Sequence, residues 1–272
     1  MLMAQKIISY YNDAQESSDS DQLILEIGSG HVACMIKGAA SQQVEGLELF
    51  ALEKGSPDWS DVFYEVTAAS QILGRTYRHT HCYYNFDEAI IIPQQKFSVA
   101  SAENYLALVY GESNRHDFSY DTLLSPGHIV NAYRIRKSIH ELLGRLFILY
   151  KPHHSYSKML DDILTRDQLE GHFVKIQFYT SHIILAFVKD KQLQLVQSFQ
   201  YQTTDDILYY LSSIIQQFGI HKQSQLEISG MFDTDSILYQ QLGKLFGLIS
   251  FDTIQPDGLF AHYLTPFYKL AV

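Results

Sequence analysis

Residues 23–37 read Leu-Ile-Leu-Glu-Ile-Gly-Ser-Gly-His-Val-Ala-Cys-Met-Ile-Lys and carry the strongest structural signal in the chain. Two apolar runs flank a turn of small residues at Gly28-Ser29-Gly30, a pattern typical of strand, tight turn and strand. A third strand is predicted at 47–52. A helix is predicted from about Asp58 to Leu73, with its N-cap at Ser56 or Asp58.

The same plan returns in the second half of the chain. Residues 173–179 and 182–189 form a second hairpin pattern, and residues 193–201 follow as a third strand. A helix then begins at Thr203 or Thr204 and stops at Gly219. We predict that the remaining elements of this half are a strand at 226–229, a helix at about 234–246 and a strand at 248–251.

A shift of 151 residues lays Glu26–Val32 over Gln177–Ile183. The identity of the two segments is slight, but three strands followed by a helix occur in both halves, so we predict a structural duplication. The chain then divides into a polar leader (1–22), an N-terminal lobe (23–170) and a C-terminal lobe (171–272). Between the repeated parts the sequence predicts strands at 77–93, a helix at 100–111, a strand leading into a helix at 128–149 and a short helix at 155–164.

The composition narrows the function classes. The 272 residues are 46% hydrophobic, enough for a sizeable core, and only 18% charged. Thirty acidic against 20 basic residues give a net charge of −10, which argues against a nucleic-acid partner because that surface would be basic.

The sequence predicts a cytoplasmic protein. There is no run of 18 apolar residues that would span a membrane, and the leader lacks the basic and apolar regions of a secretion signal. Cys34 and Cys82 stand alone, so we expect two small buried side chains and neither a disulfide nor a thiolate metal site.

The turn at Gly28–Gly30 allows two enzyme interpretations. It resembles the nucleotide loop Leu-Glu-Ile-Gly-Ser-Gly-x-Gly of an S-adenosylmethionine-dependent methyltransferase, but that loop needs a helix behind its glycines. Here Val32 stands in place of the third glycine and a β-rich run follows. The topology is better explained by the actin-like ATPase (ribonuclease H-like) fold, which it resembles: an α/β fold of two duplicated lobes, each with a mixed sheet flanked by helices.

That resemblance implies a set of nucleotide contacts. The first phosphate loop of the superfamily reads Asp-x-Gly before a small polar residue, and Glu26, Gly28 and Ser29 match those places, with Gly30 next to them. The second loop falls on Gln177. The adenosine motif, a strand that ends in Gly-Gly before a helix, falls on Ser229 and Gly230.

The chain also looks similar to an uncharacterised bacterial domain family of this fold, a relation of the pilus and type II secretion platform proteins. The segments that carry this resemblance are Gln200–Tyr210, Leu226–Gly230, Glu88–Pro93 and Phe267–Leu270. That family brings no activity with it.

Departures from the ATPase pattern predict a vestigial nucleotide cleft. Catalysis in this fold needs a carboxylate in each phosphate loop. Glu26 is one methylene longer than the usual Asp, Gln177 carries no charge, and Tyr179 and Met231 replace glycines. We therefore expect a non-catalytic pseudo-ATPase without a cofactor, retaining at most weak binding of Mg-ATP. Its role would be a cytoplasmic scaffold or interaction module with an unknown protein partner, with a homodimer left open. The alternatives are a nucleotide-binding ATPase or kinase of this superfamily and the methyltransferase.

Histidines are the remaining candidates for chemistry. His79 and His81 share one face of a predicted strand, and we expect a solvent-facing pair in preference to a metal site. His153 and His154 follow Pro152 in a predicted loop. Ser181 and His182 point to opposite faces of a strand, which argues against a serine hydrolase.

Overall fold

The turn at Gly28–Gly30 joins two antiparallel strands, as the sequence predicts. In the computed structural model of the protein, β2 (Gln22–Gly28) pairs with β3 (His31–Lys37), and Leu25 lies opposite Cys34. The structure describes residues 3–12, 18, 20–53, 55, 58–123, 128–167, 169–254 and 262–271.

The hairpin is the centre of a six-stranded mixed sheet in the first of two compact units. Its further strands are β1 (Ala4–Tyr11), β4 (Val44–Leu52), β5 (His79–Asn85) and β9 (Tyr150–His154), and the helix α1 (Trp59–Ala69) follows β4. The sheet order is β1-β4-β3-β2-β5-β9, in which β5 and β9 run parallel to β2 and the other neighbours are antiparallel. The side chain of Asp58 caps α1 by accepting from the Ser60 N–H, whereas Ser56 lies outside the described residues.

A small antiparallel sheet of order β6-β8-β7 lies in the chain between β5 and β9. Its elements and the helices that accompany them are β6 (Ala89–Pro93), α2 (Val99–Tyr110), β7 (His116–Leu123), β8 (Ile129–Arg136) and α3 (Lys137–Leu146). The strand β7 was not predicted from the sequence.

The second compact unit contains a five-stranded mixed sheet of order β12-β11-β10-β13-β14. Thr203 and Asp206 form a capping box at the start of α5, and Gly219 ends that helix in the left-handed conformation with φ of 61°. The elements of this unit are β10 (His172–Phe178), β11 (His182–Lys189), β12 (Gln192–Gln200), α5 (Thr204–Phe218), β13 (Gln225–Gly230), α6 (Ile237–Leu245) and β14 (Leu248–Phe251). Two helices have residues in both units: α4 (Ser155–Leu164) belongs to the first unit up to Lys158, and α7 (Thr265–Ala271) belongs to the second unit up to Lys269.

The two units repeat one topology. In each main sheet the three antiparallel strands lie in reverse chain order, as β4-β3-β2 and as β12-β11-β10. Two strands parallel to the last of these follow, as β5-β9 and as β13-β14. Glu26 pairs with Ala33 in the first unit, and Gln177 pairs with Ile184 in the second. Each residue of the second pair therefore lies 151 positions after its counterpart in the first pair. The predicted offset therefore holds at the level of strand register.

Strand alternation sends the site residues to the face opposite the main cores. Leu23, Leu25 and Ile27 belong to a core cluster with α1 residues such as Phe63. Glu26 projects from the other face of β2. In the second unit Ile176 and Phe178 belong to the core cluster under α5, and Gln177 projects away from it.

The prediction of a loose leader over residues 1–22 is wrong. Residues 4–11 form β1, which pairs antiparallel with β4, and β2 already begins at Gln22. The physical reason is composition: Ile7, Ile8, Tyr10 and Tyr11 favour a strand. The second unit begins at Met159, earlier than the division at 170–171 that we drew from the sequence.

Two further boundaries differ from the prediction. Residues 153–154 belong to β9 and not to a loop, because the strand order places them beside β5. The helix α1 ends at Ala69, and Ser70 follows in extended conformation. Ser70 leaves the helix because its hydroxyl donates to the carboxylate of Glu48 on β4. No helix among the described residues is both long and apolar enough to cross a membrane.

Glu48 fixes β1 to the sheet. It is fully buried and accepts hydrogen bonds from Lys6 Nζ at 2.8 Å, from the Gln71 N–H at 3.0 Å, and from the hydroxyls of Tyr11 and Ser70. Burial alone would raise the pKa of Glu48, but these donors hold it below the ordinary value.

We expect Glu48→Gln to lower the free energy of unfolding by about 2 kcal/mol, because one amide oxygen replaces a charged acceptor of four donors. Chemical denaturation of the two proteins measures the difference. Glu141→Gln, at an exposed position of α3, is the matched control and should change stability little. An equal effect of both substitutions would contradict the role assigned to Glu48.

Candidate functional site

The residues predicted for the site fall into two groups, one in each unit. Glu26, Gly28, Ser29 and Gly30 form the end of β2 and its turn. In the second unit Gln177 of β10 lies beside Ser229 of β13, and Phe178 lies beside Gly230.

The carboxylate of Glu26 is completely buried. Its Oε1 accepts hydrogen bonds from Asn85 Nδ2 at 3.1 Å and from Ser155 Oγ at 2.5 Å. Its Oε2 lies 3.1 Å from His31 Nε2. Burial of a carboxylate is costly unless polar groups replace the lost water, and these three side chains do so.

Sheet topology brings these partners together. Asn85 ends β5 and is in register with Gly28 of the parallel strand β2. Ser155 directly follows β9, the next parallel strand. The carboxyl ends of parallel strands meet at one edge of a sheet, so three strands deliver their last residues to the same place. The sequence shows Asn85 and Ser155 at element ends, but only the strand order reveals that both reach Glu26.

His31 occupies the space beside the glycine of the turn. A Cβ atom added at Gly28 would lie 2.6 Å from His31 Cε1 and 3.2 Å from the Asn85 carbonyl oxygen. His31 is itself buried, whereas Ser29 is exposed. Glycine at position 28 therefore accommodates a side chain of the protein itself.

The matching turn of the second unit is filled in a related way. Tyr179 holds the place of Gly28 and His182 the place of His31, and their rings stack with centroids 4.6 Å apart and an interplanar angle of 4°. The Tyr179 N–H donates to the His182 carbonyl at 2.9 Å. Phe267 packs edge-on against the Tyr179 ring at 5.8 Å. Both turns thus place a histidine against the residue at which the first strand meets the turn.

Gly230 is required by a close approach of two backbones. It has φ of 92°, and a Cβ atom there would lie 2.1 Å from the Phe178 carbonyl oxygen. That oxygen accepts a hydrogen bond from the Met231 N–H at 2.9 Å. Ser229 is fully buried, and its hydroxyl makes no hydrogen bond within the part of the chain that the structure describes.

Aromatic side chains pack closely after β13. The ring of Phe232 lies 4.7 Å from Phe178 and 6.3 Å from Phe251, measured between centroids. Tyr239 contacts both Phe232 and Phe251. His262 Nε2 lies 2.9 Å from the Phe232 carbonyl oxygen. Phe232, two residues after Gly230, is therefore held in the packed core of the second unit.

Sequence reasoning missed a closed ring of charged side chains in the second unit. Lys175 is buried on β10 at the centre, and Arg166 contacts both oxygens of Glu227 at 2.9 and 3.0 Å. Burial lowers the pKa of Lys175, although Glu227 and Asp252 oppose that shift. The ring runs through Lys175, Glu227, Arg166, Asp162, Lys269 and Asp252 and returns to Lys175. A lone lysine between Val174 and Ile176 was the signal in the sequence.

His79 and His81, which we expected to form a solvent-facing pair, lie in different environments. His79 is exposed, whereas His81 Nδ1 lies 3.1 Å from His153 Nε2 and the two rings stack. Burial, followed by His153, lowers the pKa of His81 to about 4. Within the described ranges, no group of three or more His, Cys, Asp or Glu side chains is placed to hold a metal ion.

His154 is a buried neutral imidazole at the end of β9. Its Nε2 donates to the Phe86 carbonyl at 3.0 Å, and its Nδ1 accepts from the Tyr156 N–H at 3.1 Å. Both nitrogens are used in a way that only the neutral ring allows. Burial lowers the pKa of His154 to about 4.

The methyltransferase interpretation is contradicted by the turn. Residues 28–30 lead into the antiparallel strand β3, and no helix starts behind the glycines. The free N–H groups of a helix N-terminus, on which that cofactor loop depends, are therefore missing at this position.

Comparison with known proteins agrees with the topology. A family model described as protein of unknown function (DUF3822) matches residues 11–248. A protein of unknown function from Bacteroides thetaiotaomicron with the actin-like ATPase fold superposes with a TM-score of 0.77, at 17% identity, covering 93% of this chain and 96% of that one. The PilM–PilN type IV pilus biogenesis complex gives 0.59 at 12% identity, with 93% and 97% covered. No curated protein matches the sequence.

At these identities the similarity shows the fold. The chain has the actin-like ATPase fold, as predicted from the strand, turn and strand pattern and its repetition.

We expect Gly28→Ala to destabilise the protein by about 2 kcal/mol, because the new methyl group meets the buried His31 ring. In a His31→Ala background the same substitution should cost at least about 1 kcal/mol less, which a double-mutant cycle of denaturation measurements would detect. Gly144→Ala in α3 is the control, since a Cβ atom there meets nothing within 4 Å. Strictly additive effects would show that His31 does not occupy this space.

We expect the free energy of unfolding to fall as the pH drops from about 6.5 to about 4. The folded state keeps His154 neutral while the unfolded state takes up the proton, so stability is complete above the unfolded pKa of 6.5. At about 1.4 kcal/mol per pKa unit the loss contributed by His154 is about 3 kcal/mol.

The variant His154→Gln keeps a donor and an acceptor but does not titrate, so its stability should decline less over this range. His79→Gln, at an exposed position, should follow the wild type. Denaturation at several pH values measures all three proteins. Parallel curves for His154→Gln and the wild type would contradict a buried neutral His154.

Proposed function

The chain belongs to the DUF3822 family of proteins of unknown function, and on that premise we propose that it is a non-catalytic member of the actin-like ATPase fold that acts by binding another protein. The observation that carries the proposal is the burial of Glu26 among His31, Asn85 and Ser155.

A carboxylate that serves phosphoryl transfer must reach Mg²⁺ or its bound water. Both oxygens of Glu26 are instead engaged by side chains of the same unit, and the residue has no exposed surface. Asn85 and Ser155 would have to lose their hydrogen bonds before Glu26 could turn toward a metal ion. The first phosphate loop is thus built as a structural junction.

The second loop supports the same conclusion. Gln177 can orient a water molecule but cannot accept a proton near neutral pH. Tyr179 and His182 stack where a glycine turn would leave room for phosphate oxygens. Both phosphate loops would therefore have to change to restore a nucleotide site.

Two further observations favour a protein partner. The PilM–PilN complex, one of the solved structures that this chain resembles, is an assembly of two proteins in type IV pilus biogenesis. The net charge of −10 disfavours nucleic acid. We further propose a cytoplasmic location, which the free buried thiols of Cys34 and Cys82 support because that compartment keeps thiols reduced.

We expect millimolar Mg-ATP to leave the melting temperature unchanged. Ligand linkage would add about 2.7 kcal/mol at 100 times the Kd, an effect that differential scanning fluorimetry or calorimetry detects easily. S-Adenosylmethionine should likewise leave the melting temperature unchanged.

The control variant is Ser29→Glu. Ser29 is exposed at the tip of the turn, so the substitution leaves the fold intact and places a negative charge where phosphate would lie. Wild type and variant should respond identically to Mg-ATP. A stabilisation of the wild type that Ser29→Glu abolishes would overturn the proposal in favour of a nucleotide-binding ATPase or kinase.

A further inference from the structure

The repeated sheets differ at one edge. In the first unit the outer strand β4 is covered along its length by β1, which pairs antiparallel with it. In the second unit the equivalent strand β12 pairs with β11 alone as far as the described residues go. The first unit thus shows what the edge of this sheet accepts: an antiparallel strand.

The strand β12 carries neither a lysine nor a proline, two common protections of an edge strand. Its nine residues, Gln192–Gln200, include no charged residue and no proline. Natural edge strands are commonly guarded by lysine, by proline or by a covering element. A single bulge near Leu193 and Val188 interrupts the register, which leaves residues 195–200 as a regular ladder.

The backbone of β12 offers hydrogen-bonding groups on its outer side. The Tyr201 N–H donates to the Ser181 carbonyl at 3.1 Å, so residues 201, 199, 197 and 195 bond toward β11. The alternation of an antiparallel ladder then directs the N–H and carbonyl groups of Val196 and Gln200 outward.

The charges that flank β12 favour antiparallel self-pairing. Lys189 and Lys191 precede the strand, and Asp205 and Asp206 follow it. Asp190 lies between the lysines, with its carboxylate accepting from the Gly171 N–H at 3.2 Å. In an antiparallel pair of two copies the lysine end of one strand lies toward the aspartate end of the other, whereas a parallel pair would bring like charges together.

An exposed aromatic side chain lies close to this edge. Phe199 of β12 stacks on Tyr210 of α5 with centroids 4.8 Å apart, and Tyr210 contacts Tyr209. Tyr209 is 68% exposed. Tyrosine is enriched where proteins associate, so the edge has an apolar contact beside its backbone ladder.

We propose that β12 pairs antiparallel with β12 of a second copy of this chain, so that two five-stranded sheets form one ten-stranded sheet across a two-fold axis. The proposal goes beyond the function argued above, because self-association at β12 is independent of whether the phosphate loops bind a nucleotide.

The first test is sedimentation velocity of the full chain over a range of concentrations. Val196→Pro removes an outward N–H and should abolish the dimer. Gln197→Lys introduces like charges into the interface and should raise the dimer Kd about tenfold. Gln95→Lys makes the same charge change at an exposed position of the first unit and should leave the dimer intact.

Circular dichroism shows whether Val196→Pro folds; if it does not, Gln197→Lys against Gln95→Lys decides the question. A wild type that stays monomeric at every concentration would refute the proposal. A dimer that both β12 variants leave unchanged would refute it as well.

Cysteine cross-linking tests the direction of pairing. The native thiols Cys34 and Cys82 are buried, and burial raises the pKa of both well above the ordinary value, so an introduced surface cysteine reacts first. Single cysteines at Gln194, Val196, Gln197 and Gln200 are oxidised alone and in pairs of variants. In an antiparallel pair of identical strands, the numbers of two opposite residues always add up to the same total. At most one position can therefore link to itself, and two different positions link only when their numbers add up to that total. Self-linking at every position would indicate a parallel pair and contradict the proposal.

Discussion

The buried carboxylate of Glu26 is the constraint on which the first unit depends. A fully buried carboxyl group near the end of the central strand must be supplied with hydrogen-bonding partners, and it finds them in Asn85, Ser155 and His31. These residues lie at the ends of β5 and β9 and at the start of β3. One side chain therefore sets how four strands meet, and in doing so it uses the atoms that an ATPase would offer to a metal ion.

The two units share one topology but differ in the buried polar residues at corresponding positions. Gln177 stands at the place of Glu26 and carries no charge, and the second unit has a buried charged residue two positions earlier on the same strand face, at Lys175. His31 and His182 keep matching places, but one lies against Gly28 and the other stacks on Tyr179. The two halves share topology and register while their polar interiors have diverged.

The sequence predicted most of the strands and helices because hydrophobic alternation and caps are local signals. The hairpins at Gly28–Gly30 and at 179–182, the capping box at Thr203 and the stop at Gly219 all depend on neighbouring residues. The strand β1 was missed although Ile7, Ile8, Tyr10 and Tyr11 favour a strand, because the acidic residues up to Asp21 led us to treat the whole stretch as a polar leader. The partners of Glu26 were missed because they are distant in sequence: Ser155 is 129 positions away, and only the sheet order brings it near.

The low charge content acquires a structural meaning from these contacts. Glu26, Glu48 and Lys175 are all fully buried, so three charged groups of a chain that is only 18% charged do not serve the surface. Charges on a surface normally keep strand edges apart. The first unit covers its outer strand with β1, and Lys6 of that strand pairs with Glu48. The second unit has neither a covering strand among its described residues nor a charge within β12. A second strand that pairs with β12 therefore meets no charged side chain of the strand itself.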